Sequence, residues 1–161
     1  MPAEVRREVF AWASRAGFAG TEVSVVHLDL FAMSDAELAD LRDELADAGL
    51  ATAALNPGGL NFVTESAPEN LAKRMRAVEM ARRLESGVIN TTLPGPNSFQ
   101  SSPDTPEGWG IGGRVSIGGS RMAVDYELEK TADALREVAD AAAEVDITIA
   151  IELHQNCYVD N

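Results

Sequence analysis

Four times along this chain, apolar residues spaced by three and four give way to a short β-branched or small-residue run, and this alternation constrains the fold more than any other feature. Val5, Val9, Trp12, Ala13 and Ala16 predict a first helix that stops at Gly17, and Thr21 to Val26 predict a strand. Ser34, Asp35, Ala36 and Glu37 form a capping box ahead of a second stripe, Leu38, Leu41, Leu45 and Ala48, which ends at Gly49. Ala51 to Asn56 is a strand by its flanks, since alanine favours strands poorly. Ser66, Ala67, Pro68 and Glu69 open a third helix with Leu71, Met75 and Val78 on one stripe, followed by a strand from Val88 to Thr92. Leu128, Thr131, Leu135, Val138, Ala142 and Val145 then step through a last helix into a closing strand from Ile147.

Strands separated by helices rather than by hairpin turns demand a parallel sheet with right-handed crossovers. Two α/β architectures satisfy this: a partial (β/α) barrel of TIM type with about four strand-helix units, or a doubly wound open parallel sheet. A full barrel typically needs about 250 residues, so length favours the open sheet. Residues 1–161 read as one domain, with enough apolar content, 45%, for a core. The pattern dissolves into prolines and glycines from Leu93 to about Val124, which predicts a long loop. That loop is either a mobile lid or a plain connection. Its Gly110, Ile111, Gly112 and Gly113 neither follow the first strand tightly nor open a helix, so they are not a dinucleotide loop.

Net charge of −13 opposes binding to a nucleic-acid backbone. The cations Lys73, Arg74, Arg76, Arg82 and Arg83 read as the solvated face of a helix. No apolar run approaches the roughly 20 residues of a membrane span, and the charges at Glu4, Arg6, Arg7 and Glu8 leave no signal-peptide core, so a cytoplasmic protein is expected. A single cysteine, Cys157, excludes an intrachain disulfide.

In a parallel sheet of either kind, active groups sit at the carboxyl ends of the strands. The closing strand places Ala150, Glu152 and His154 on one face and Ile149, Ile151 and Leu153 on the other. Asn156 follows at the same end, as Ser24 and His27 do after the first strand, Asn56 after the second, and Asn90 and Thr92 at the third. Glu22 shares the parity of Ser24, and Thr52 and Ala54 that of Asn56, so one polar face can be drawn through the strands opposite an apolar one. A barrel interior flanked by helices has this pattern. Glu152 and His154 are the candidate catalytic residues, and Glu22, His27, Asn56 and Asn156 the candidate substrate contacts. Each has a plainer reading: an edge position or salt bridge for Glu152, a rim histidine for His154, an internal hydrogen bond for Glu22, turn residues for Asn56 and Asn156. His27 has the wrong parity for the interior.

The segment Gly17, Phe18, Ala19, Gly20, Thr21, Glu22, Val23, Ser24 resembles the glycine-rich turn and second strand of the xylose-isomerase-like barrels, the sugar isomerase and epimerase superfamily. Ile149 to His154 resembles that superfamily's strand bearing the first metal-binding glutamate. The resemblance implies a divalent metal, manganese or magnesium, held in part by Glu152, with His154 as proton shuttle or substrate contact. It implies an enzyme that abstracts a proton next to a sugar carbonyl. A lyase of the same superfamily that cleaves a keto-glycoside is the alternative, as is a non-catalytic half-barrel that binds a partner chain. Superfamily barrels start with a strand and draw later metal ligands from strands beyond the one bearing Glu152. By that mapping this chain holds the second to fifth strands, and a homo-oligomer or complementary chain is expected.

Overall fold

The computed structural model describes residues 1–94, 123–154 and 157–159. The elements run α1 (Ala3–Arg15), β1 (Gly20–Ser24), a 3-10 turn (Leu30–Ala32), α2 (Asp35–Asp47), β2 (Ala51–Asn56), α3 (Ala67–Arg83), β3 (Val88–Thr91), α4 (Asp125–Ala143) and β4 (Thr148–Ile151). The four described strands form one parallel sheet in the order β1, β2, β3, β4. The expected long loop lies largely outside the described residues.

The four described helices hand over to their strands through the same device. Phe18, Leu50, Ser86 and Ile147 donate their backbone N–H to Ala13, Leu45, Ala81 and Ala142, at 2.9 to 3.1 Å. Between donor and helix sits a residue of positive φ: Gly17 (88°), Gly49 (73°), Glu85 (56°) and Asp146 (58°). These are left-handed C-terminal caps, and they turn each helix back onto the sheet. At the start of α2 the expected capping box forms: the Ser34 Oγ accepts from the Glu37 N–H at 3.3 Å, and the Glu37 carboxylate accepts from the Ser34 N–H at 2.8 Å.

The core lies between the helices and one face of the sheet. Val23, Leu55, Ile89 and Ile149 are in register across it, and pack against Leu38, Leu41 and Leu45 of α2, Ala77, Met80 and Ala81 of α3, and Val138 and Ala142 of α4. Gly20 is required at the start of β1, because a Cβ there would lie 2.8 Å from the Ala51 carbonyl oxygen. A bulge follows: β1 steps from Thr21 to Glu22 while β2 steps from Thr52 to Ala54. The extra residue takes Thr52 out of the expected alternation with Ala54.

Three features depart from the sequence pattern. Arg74 is buried, at 1% exposure, instead of solvated. It sits one turn before Ala77 and Val78 on the inward stripe of α3, where its Nη2 donates to the Gly58 carbonyl at 3.0 Å. On α1 the buried contact comes from Phe10, with Ala13 beside it, while Val5, Val9 and Trp12 are exposed, Trp12 at 62%. On β4 Ile149 packs on the core, but Ile151 and Leu153 are 42% and 61% exposed. The last two departures lie at the two edges of the described sheet, where no further described strand-helix unit covers them.

Candidate functional site

The face of the sheet away from the helices carries the polar residues. Glu22 is the centre of a hydrogen-bonded cluster: its Oε1 accepts from Asn56 Nδ2 and its Oε2 from Asn90 Nδ2, each at 3.1 Å. The Asn56 Oδ1 in turn accepts the Gly58 N–H at 3.0 Å, which fixes the amide so that its NH2 points to Glu22. Three strands therefore contribute one carboxylate and two amides to a single row. The alternation visible in the sequence places them there, and Asn90 is a member that strand-end position alone ranked no higher than its neighbours.

At the far side of the row, β4 ends and Glu152 begins the rim. Its backbone N–H donates to the Thr91 carbonyl at 2.8 Å, so it stays in register with β3 one residue beyond the last ladder pair. Glu152 therefore continues the parity of Ala150, the partner of Asn90. Its side chain is exposed and His154 is half-buried. Beyond His154 the chain turns back: Cys157 donates its N–H to the His154 carbonyl, His154 donates to the Val159 carbonyl, and Tyr158 donates to the Leu93 carbonyl at 2.8 Å. Cys157 and Pro94 form an antiparallel bridge. The turn anchors the end bearing His154 to β3. Asn156 lies outside the described residues.

His27 takes a different place. After Ser24 the chain turns, with His27 and Leu28 both donating their N–H to the Ser24 carbonyl, and β1 ends two residues before the expected Val26. His27 then lines a small groove of about 80 Å³ on the outer edge of β1, together with Glu22, Ser24, Val9 and Phe10. The sheet order puts this groove and Glu152 at opposite edges of the described sheet. Among the described residues, no three His, Cys, Asp or Glu side chains gather into a metal-binding group.

A stretch of residues 10–160 matches the profile of the xylose isomerase-like TIM barrel family. The chain belongs to that family. Solved structures agree on the fold. A xylose isomerase-like TIM barrel protein from Mycobacterium smegmatis, in complex with magnesium, superposes with a TM-score of 0.70 at 21% identity, covering 100% of this chain and 50% of that one. A D-psicose 3-epimerase, determined in the presence of D-fructose, gives 0.65 at 18%, covering 96% and 48%. The 3-keto-D-glucoside 4-epimerase of E. coli gives 0.61 at 18%, covering 98% and 54%. A search of curated proteins returned no match. The chain thus spans about half the length of the structures it resembles, and its sheet is a partial barrel whose polar row lines the interior.

Proposed function

We propose that this chain forms half of a sugar isomerase or epimerase that acts by moving a proton on the carbon next to a carbonyl. The observation that carries the reading is the polar row itself: a carboxylate held by two amides inside a (β/α) barrel, continued at the carboxyl rim by Glu152 and His154. Sugars are recognised by such sets, because a carboxylate accepts from hydroxyls and amide groups both donate and accept. Solved structures that the chain resembles include sugar epimerases, which supports the same class.

Glu152 is a suitable hard-oxygen ligand for manganese or magnesium, but one copy brings no three ligands together among its described residues. A divalent ion held there would supply positive charge beside the oxygens of a bound sugar. The chain's own groups supply the rest. Glu22, Asn56 and Asn90 orient substrate hydroxyls, with Asn156 and His27 as further contacts. His154 moves the proton at its ring nitrogen, beside the carboxylate of Glu152. A strand-end turn pinned to Leu93 and Pro94 keeps that imidazole in place.

Incubation of the protein with ketohexoses and manganese, followed by chromatographic separation of the products, should give an epimer or aldose. His154→Ala should reduce the rate by about 10²- to 10⁴-fold, the usual range for a positioned acid-base group. Release of an aglycone from a keto-glycoside, with free ketoses unchanged, would instead assign the lyase chemistry. No product from either substrate class would refute the enzymatic reading.

A further inference from the structure

We infer that Asn61, in the connection between β2 and α3, is a positioning residue: acting through Pro94, its side-chain amide sets the place of the rim turn that carries His154. The consequence for turnover rests on the proton-moving role proposed above for His154. The placement itself stands on contacts within the chain.

Asn61 is 7% exposed, and both of its side-chain polar atoms are engaged. The Oδ1 accepts the N–H of Val63 at 2.8 Å and that of Thr64 at 3.0 Å, an Asx turn on the approach to α3. The amide nitrogen then points the other way, and it donates to the Pro94 carbonyl at 2.7 Å. The Asn61 carbonyl accepts from Asn70 Nδ2 at 2.7 Å, which ties the residue to α3 as well. A turn of this kind needs only the acceptor, which aspartate or serine also supplies. The donor is what asparagine adds, and the chain uses it on the segment that leaves β3.

From Pro94 the path to His154 is short. Pro94 is buried and pairs with Cys157 in the antiparallel bridge. Cys157 donates its N–H to the His154 carbonyl at 3.1 Å, and His154 donates to the Val159 carbonyl at 3.2 Å. Apolar contacts run beside this polar path: Phe62, next to Asn61, packs with Leu93 and Tyr158, the chain neighbours of Pro94 and Cys157. Gly59 lets the connection lie this close, since a Cβ there would run into the Thr92 hydroxyl and stand 2.9 Å from Pro94 Cδ. The ladder alone does not reach the imidazole, because β4 ends at Ile151 and its extension along β3 at the Glu152 N–H.

The same connection holds the interior row. The Gly58 N–H orients the Asn56 amide toward Glu22, and the Gly58 carbonyl accepts from Thr91 Oγ1. Residues 56–61 therefore keep the Glu22 cluster and the turn bearing His154 in register from one loop.

Asn61→Asp and Asn61→Ser test the assignment. Both keep an acceptor for the turn, neither carries the amide that reaches Pro94, and the serine adds no charge. Amide hydrogen exchange on the full, metal-free chain should accelerate about tenfold at His154, Cys157 and Tyr158 in both variants, with Leu55 and Ile89 unchanged. At one fixed pH the His154 imidazole signal should move, while His27, at the opposite edge of the described sheet, stays in place. Wild-type exchange at the rim, or rates that rise equally across the sheet, would overturn the inference, the second because it marks general support. Where the wild type epimerises a ketose, both variants should lower kcat by about 10- to 100-fold with KM little changed. A raised KM at unchanged kcat would overturn the role. A wild type without turnover would end the sugar reading alone, because the exchange rates and the imidazole signal still decide the placement.

Discussion

Arg74 shows how a single residue can be held at a cost. Its guanidinium is buried with one hydrogen bond, to Gly58, while its Nε and Nη1 have no partner. Burial lowers its pKa to about 10, which still leaves it charged at neutral pH. The Gly58 carbonyl also accepts from the Thr91 Oγ1 at 3.0 Å, so it does not depend on the arginine. Arg74→Met should therefore be neutral or stabilising in urea denaturation, since it relieves the buried charge and keeps most of the volume. Arg74→Ala should cost about 2–4 kcal/mol through the cavity it leaves. Equal losses from both would mean that the charge itself is needed. Tyr158 makes the opposite case. Burial, with the Glu127 carboxylate adding to it, raises its phenol to about 12 from the ordinary 10.0. The unfolded chain then ionises first, so the stability this group contributes is full below pH 10 and is lost as pH rises toward 12. Tyr158→Phe should remove that part of the alkaline fall in the urea midpoint. An identical fall in the variant would show that Tyr158 is not protected.

At the scale of the element, the four helix ends are a natural experiment. Two caps carry glycine, whereas Glu85 and Asp146 hold the left-handed conformation with a side chain. That conformation costs an L-residue about 1–2 kcal/mol. Glu85→Gly should therefore raise stability by about 0.5–1 kcal/mol in thermal denaturation. The ion pair it loses, to Arg42 at 3.7 Å, is exposed and worth little. Destabilisation would show that the pair outweighs the strain. Ser34→Ala should cost about 1 kcal/mol by removing the cap of α2. These elements also show what a sequence displays. The capping box and the glycine stops at Gly17 and Gly49 were legible because each is a residue type with one conformational use. The caps at Glu85 and Asp146 were not, because neither type announces positive φ. Stripe spacing found α1 but not its buried contact: Val5, Val9 and Trp12 have the right period and are exposed, while Phe10 packs on the core. Alternation placed Glu22, Asn56 and Glu152 on one face. It could not show that Asn90 completes the Glu22 cluster, since that depends on the register between strands far apart in the chain.

At the scale of the whole chain, a partial barrel accounts both for what is packed and for what is open among the described residues. The helix side is packed at its centre, around Leu55, Met80 and Ile89, and exposed at its two edges, around Trp12 and Leu153. Interior polar residues follow the same division: Glu22 is held by Asn56 and Asn90 and keeps lone pairs for further donors, while Glu152 at the rim joins no group of three His, Cys, Asp or Glu among the described residues. No described helix is long and apolar enough to cross a membrane. The carboxyl rim around Glu152 is where we propose that this chain engages a divalent ion and, with it, a sugar. Paramagnetic line broadening of the backbone amide spectrum by manganese tests it most directly. At low occupancy, broadening should appear first at residues 91, 92 and 151–154, and Glu152→Gln should abolish it there. Broadening that begins instead on the acidic outer faces of α2 and α4, and is indifferent to Glu152→Gln, would contradict the claim.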